Sequence, residues 1–469
     1  MSVLEGSRAV GRPDGTDDLT RTPVRALRGV RLPDGTLGTV VLDGALVGHV
    51  APTGAPAGPG AAASKCGAGE NQDGAELDAT GWRVLPAAAE PHAHLDKALT
   101  ADRDAAPGGN DLVGAIEQWH RVRASVDALD VTERALASLD RYLSRGVTAV
   151  RTHVDVPADG DPLRFVDALL DVRDRVADVM TLQVCLLASS ATPTDVLHEA
   201  ARHGVDVLGG CPHLAPEPGA ETTRLLDVAE RHGLPVDLHT DEQTGLDGLD
   251  VVDLAAQVID RGLVQRVTAS HVVRLGSLTP ERLAPTLDLV ARAGLGLVTL
   301  PITNLYLQGW DATHLVPRGI APLRQILDAG ITLAAGADNL RDPFNPAGRA
   351  DPFETTSLLM TAGHLGPDDA LAAVTSGARS VLGLAPAGLA AGDAADLVLV
   401  PDVDLGDVLA GATDARVVVR GGTVVADTRV RRTTALHRTG ALATAPGPGT
   451  TSTGTHRSTP SQPTTTSTR

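Results

Sequence analysis

Between residues 84 and 338, eight short apolar runs recur: VLPAAAE, TAVRTHV, TLQVCLL, VDVLGG, LPVDLH, RVTASH, LGLVTL and ITLAAGA. Amphipathic stretches such as ALASLDRYLSRG, PTDVLHEAARHG, ETTRLLDVAERHG and PLRQILDAG separate them, each closing on a glycine of the kind that ends a helix. The runs stop near His92, His153, Leu187, Cys211, His239, His271, Leu300 and Asp338; after a first interval of 61 residues the spacing lies between 24 and 38. That is room for a strand, a helix and two turns, and eight such units close a parallel (β/α)8 barrel of the TIM type. An open doubly wound sheet would use the same units, but it gives no reason for what stands at the strand ends.

The flanks read differently. Alternating stretches broken by PDG and DG over 24–50, and the segments AGDAADLVLVPDVD and DARVVVRGGTVVADTRV near the other end, have the pattern of strands and hairpins. The expected organisation is a barrel over 89–383 and a small β-sandwich built from both chain ends, 25–88 and 384–432. Residues 1–24 read as a mobile arm and the Ala/Gly/Pro-rich 51–80 as a flexible loop carrying Cys66. The segment 433–469, with 13 threonines in 37 positions, is too polar to bury a core and is expected to be disordered.

Composition removes several classes of partner. A net charge of −18 and a pI near 5.2 oppose binding to nucleic acid. Mean hydropathy is +0.02 and no apolar run reaches the roughly 18 residues of a membrane span, so no membrane partner is expected. Cys66, Cys185 and Cys211 show no CxxC spacing and read as reduced thiols. With no secretory or transit pattern in MSVLEGSRAVGRPDGTDD, the expected compartment is the cytoplasm and the expected assembly a homo-oligomer.

Five of the eight runs stop at histidine or aspartate: His92 with His94, His153, His239, His271 and Asp338. In a (β/α)8 barrel these ends share one face. A single strand-end histidine is ordinarily a core residue bonded to a carbonyl; five on one face weaken that reading. The pair in PHAHLDK puts two imidazoles on one side of a strand. With His239 and Asp338 it supplies three nitrogens and one oxygen to one metal ion, leaving room for a water whose pKa falls to about 7.

The strings EPHAHLDK, RTHVDV, LHTDEQ, RVTASH, LYLQG and GADNLRDPF, in this order, closely resemble the cytosine deaminase branch of the metal-dependent amidohydrolase superfamily, as do GDAADLVLV and VVVRGG in the end strands. The resemblance spans roughly 25–430. It implies one divalent iron or zinc ion held by His92, His94, His239 and Asp338. It makes Glu242 in HTDE the proton shuttle and His271 the histidine that orients the attacking hydroxide, with Asp338 doubling as base. His153 and Asp155 match family positions that either support the site or touch substrate, and Lys97 either lies near substrate or supports its loop.

On the loop after strand seven, the Gln308 amide is expected to read a ring carbonyl or nitrogen, while Trp310 and Phe344 either face a planar ring or pack the loop; only eight aromatics occur in the chain. Two positions depart from the family pattern. Ser189 stands where a strand-three FPQ glutamine grips the pyrimidine edge, and Asn339 replaces the second carboxylate of a D-D pair. The expected function is hydrolytic deamination of cytosine or a related aminated heterocycle, a small-molecule substrate, with release of ammonia. The alternatives are hydrolysis of another C–N bond, as in an N-substituted triazine or cyclic amide, and a metal-site scaffold without activity.

Overall fold

The computed structural model describes residues 7–9, 19–52, 74–104, 110–244, 248–314, 316–317 and 319–430. Each expected barrel run forms a strand: β1 Ala88–Ala93, β2 Val147–Asp155, β3 Thr181–Ala188, β4 Val207–Gly210, β5 Val236–Thr240, β6 Val267–His271, β7 Gly296–Thr299 and β8 Leu333–Ala335. Each pairs in parallel with its neighbours in chain order, and a parallel bridge between Ala93 and Asp338 joins the end of β8 to β1. The side-chain period of two divides every strand between two surroundings. In β3, Leu182, Val184 and Leu186 enter the core under the helices, while Gln183 turns to Arg151 inside the ring. Helices between strands end at left-handed Gly204 and Gly233, as the glycine-terminated stretches require.

The barrel interior is layered. At its floor Ala149, Val298 and Ala334 pack against Ala378, Val381 and Leu382 of the helix Ala378–Leu382. Above them lies a buried polar layer: Arg151 Nη1 donates to Asp237 Oδ2 at 2.7 Å and to Gln183 Oε1 through Nε and Nη2, and Ser270 Oγ donates to Asp237 Oδ1 at 2.6 Å. The histidines form the layer at the mouth.

A second sheet of nine strands draws on both chain ends; Trp82–Pro86 pairs antiparallel with Leu397–Pro401, and Leu27, Val40, Leu77, Val84, Leu397 and Val417 fill its core. Two segments depart from expectation. Ala75–Asp78, inside the stretch read as a loop, is a strand beside Val24–Arg31, and Ser7–Ala9, inside the expected arm, pairs in parallel with it. Both owe their conformation to non-local pairing, which local composition does not encode. Cys66, the rest of the arm up to residue 18, and the threonine-rich tail lie outside the described residues. Among the described residues no helix is long and apolar enough to cross a membrane.

Candidate active site

His92 lies on β1, His94 just beyond it, His239 on β5, and Asp338 three residues past β8. All four are buried. His239 Nε2 stands 3.1 Å from His92 Nε2 and 3.4 Å from His94 Nε2, and Asp338 Oδ1 lies 3.2 Å from His94 Nε2 and 3.8 Å from His92 Nε2. Burial, reinforced by the neighbouring cationic forms, pushes all three imidazoles well below their ordinary pKa. Burial and then the Glu242 charge push Asp338 well above its own. Neutral rings that turn nitrogens on one another and on a carboxylate oxygen lacking any hydrogen-bond partner in the structure make a poor hydrogen-bonded cluster. The same atoms make a good donor set: His92, His94 and His239 could hold a metal ion, and three nitrogens with one oxygen suit zinc or iron.

Strand alternation alone would turn the His271 ring away from the axis, because Ser270 already points inward to Asp237. Two successive left-handed residues, His271 at φ 74° and Val272 at φ 45°, swing it back. Backbone strain of this kind, of order 1–3 kcal/mol per residue, concentrates at functional sites. The His271 Nδ1 then lies 3.3 Å from Asn304 and 3.8 Å from Glu242 Oε1, and its Nε2 is buried without a partner. Glu242 Oε2 is 3.3 Å from His213 Nε2, while His213 Nδ1 faces the His239 carbonyl at 3.0 Å. Burial disfavours charge on both Glu242 and His213; each is outweighed by its neighbours, which hold the carboxyl below and the imidazole above its usual value.

His153 lies one layer down, stacked on His92 with ring centroids 3.9 Å apart, its Nε2 3.5 Å from Asp237 Oδ2. His92, His153 and Asp237 also come close enough to hold an ion. Asp237 is already bonded to Arg151 and Ser270, which fits a support for the His92 ring.

A cavity of about 340 Å³ opens over this cluster. Ser189, Phe344 and Asn339 line it together with His94, His239, Glu242, His271 and Asp338. Its far wall is the helix α1, Leu112–Arg123, from which Leu112, Ile116, Trp119 and Arg123 face inward at intervals of four, three and four residues. Lys97 Nζ pairs with Asp155 Oδ1 at 3.1 Å, Trp119 Nε1 donates to Asp155 Oδ2 at 2.5 Å, and the ammonium lies 5.6 and 5.2 Å from the Trp119 and Phe344 ring centroids. Against burial, Asp155 and then Asp96 raise the Lys97 pKa, so the buried ammonium stays charged.

Two expectations are corrected. Gln308 does not reach the cavity: its Nε2 donates to the Glu242 carbonyl at 2.9 Å and its Oε1 accepts from Thr244 N at 3.2 Å, so it fastens the Glu242 loop from outside. Trp310 lines a neighbouring depression with Gln308, half exposed, its indole N–H on the Tyr306 carbonyl. The aromatic wall is Trp119 with Phe344. Sequence reasoning missed His213 and Trp119. His213, three residues past the end of β4, would have met the strand-end criterion, and Trp119 sits on the α1 stripe.

Residues 162–426 match the amidohydrolase family model. A pterin deaminase from Rhizobium rhizogenes is 34% identical over 366 residues, 75% of this chain and 82% of its own length. Among solved structures, 5-methylcytosine deaminase from Klebsiella pneumoniae liganded with 5-fluorocytosine superposes with a TM-score of 0.78 at 27% identity, over 87% of this chain and 99% of that one. N-isopropylammelide isopropylaminohydrolase from Burkholderia multivorans gives 0.73 at 27% identity over 87% and 99%. With a family match over more than half of its length and a relative 34% identical over three quarters of it, the chain belongs to the amidohydrolase family.

Proposed function

We propose that this protein hydrolyses the exocyclic C–N bond of a planar, aminated nitrogen heterocycle and releases ammonia, using one zinc or iron ion held by His92, His94, His239 and Asp338. The observation that carries the reading is the convergence of those four side chains with Glu242 and His271 beneath a cavity walled by Trp119 and Phe344. When bound, the ion supplies a water acidified to a pKa of about 7. Glu242 takes a proton on a carboxylate oxygen and delivers it to the ring nitrogen or leaving amine, the ordinary work of a positioned acid–base group. His213 holds Glu242 ionised and ready to accept, and His271 presents its free Nε2 towards the reacting carbon. Phe344 and Trp119 orient the ring by its flat faces.

The likeness to pterin deaminase and the size of the cavity favour a ring larger than cytosine. Ser189 favours it too. One hydroxyl, already turned to Thr192 Oγ1 at 3.3 Å, cannot reproduce the two-point contact of a glutamine amide. The likeness to N-isopropylammelide isopropylaminohydrolase supports a second reading in which an alkylamine leaves in place of ammonia.

The test is ammonia and alkylamine release by the metal-loaded enzyme on pterin, cytosine, isoguanine and N-alkylated triazines, with Glu242→Gln alongside. We expect pterin to exceed cytosine in kcat/KM, and the variant to retain metal while kcat drops by ~10² or more. No turnover on any ring, or a variant as fast as wild type, would overturn the reading.

A further inference from the structure

The far wall of the cavity carries a charge that the chemistry above does not use. Arg123, the last residue of α1, lines the cavity half-buried and makes no side-chain hydrogen bond or close ion pair among the described residues; its charge is felt by Asp155, a carboxylate already held by Lys97 and Trp119. The other cations near it are engaged: Arg121 Nε pairs with Asp104 at 2.8 Å and Lys97 with Asp155 at 3.1 Å. Of the carboxylates that line the cavity, Asp155 is held by Lys97 and Trp119, Glu242 by His213, and Asp338 belongs to the metal cluster. His120, three residues before it on the same helix, also lines the cavity and adds two ring nitrogens. A cation at the end of a helix helps offset the helix dipole, but the exposed Arg121 serves that end equally well and does not face the cavity. In a chain of net charge −18, a guanidinium left open toward a ligand space is a recognition element.

Its position within the ring matters as much as its charge. α1 lies in the β1–β2 connection, and its wall meets the cavity beside Asp155 at the end of β2. In an eight-strand ring β2 and β6 are diametrically opposed, so this wall faces His271, with Glu242 beside it after β5. A planar ring presenting its C–N bond to Glu242 and His271 therefore turns its opposite edge to α1.

We propose that the substrate carries an anionic substituent, a carboxylate on the ring edge remote from the scissile C–N bond, and that Arg123 is the residue that selects for it, with His120 assisting. This rests on the deaminase reading and narrows it to acidic heterocycles.

Two isosteric pairs test it: pterin-6-carboxylate against its carboxamide, and cytosine-6-carboxylate against its carboxamide. In at least one pair wild type should favour the carboxylate by about tenfold or more in kcat/KM, chiefly through KM, as a charge-assisted bidentate contact implies. Arg123→Gln should collapse that ratio to about two or less, and Arg123→Lys should recover part of it. Ratios near one in wild type, or a ratio that survives Arg123→Gln, would overturn the proposal. Calorimetric binding of uracil-6-carboxylate and uracil-6-carboxamide, which have no exocyclic amine to lose, separates the two claims. A carboxylate preference that depends on Arg123 without deamination of any ring keeps the anion subsite and defeats the deaminase reading. Deamination without such a preference does the reverse.

Discussion

Gly336 shows how little freedom the mouth of the barrel has. A Cβ there would sit 2.0 Å from Glu90 Oε1 and 3.1 Å from the Pro91 ring. The Glu90 carboxylate cannot swing away without losing bonds, since Oε1 accepts from His92 N at 3.1 Å and Oε2 from Ala337 N at 2.8 Å; burial pushes its pKa up to about 8. Gly336→Ala is therefore expected to lower unfolding stability by about 1–3 kcal/mol through overpacking. It should also reduce metal occupancy, because Glu90 fastens the backbone of both His92 and the turn before Asp338. Urea unfolding and elemental analysis of the variant check both. The meeting of His92, His94, His239 and Asp338 was legible in the sequence because strand ends announce themselves: a run stops and a histidine or aspartate follows. Glu90 was not, since a glutamate inside an apolar run gives no sign of which amides it will meet. Gln308 and Trp310 were misplaced for a related reason, that a loop's residues are read correctly only once its path is known.

At the scale of an element, β2 and β5 share the ion pair that supports the histidine layer. Burial works to raise the Asp237 pKa, but His153, Arg151 and Ser270 outweigh it and hold the carboxyl below its ordinary value. A carboxyl whose folded pKa is depressed contributes stability that is fully present above its unfolded value near ~4 and is lost as pH falls through the lower folded value. Asp237→Asn should thus cost about 3 kcal/mol at pH 7, where Arg151 is left buried without its counter-charge, and the gap to wild type should narrow below pH ~3. Chemical unfolding at the two pH values measures this. An equal gap at both would mean that packing, not charge, sets the cost. The strands themselves were readable from period and spacing. What α1 does was not, because a stripe of Leu112, Ile116 and Trp119 facing a cavity has the same sequence pattern as one facing a core.

For the whole molecule, the eightfold spacing was enough to foresee the ring, and the paired flanks enough to foresee a sheet from both chain ends. The strands Ser7–Ala9 and Ala75–Asp78 escaped because each exists only through a partner distant in sequence. The bridge that joins β8 to β1 is made by Ala93 and Asp338, so the residue that completes the circle of backbone also places its carboxylate among the imidazoles. Ligand binding and circle closure then draw on one residue, and by mass action whatever binds the native quartet must resist the opening of that seam. Adding zinc to the metal-free protein should slow amide hydrogen exchange at 88–94 and 333–339 more than at β3 and β4, and should raise Tm as free zinc increases. Uniform slowing around the barrel would show that the ion stabilises the ring as a whole and not at its clasp.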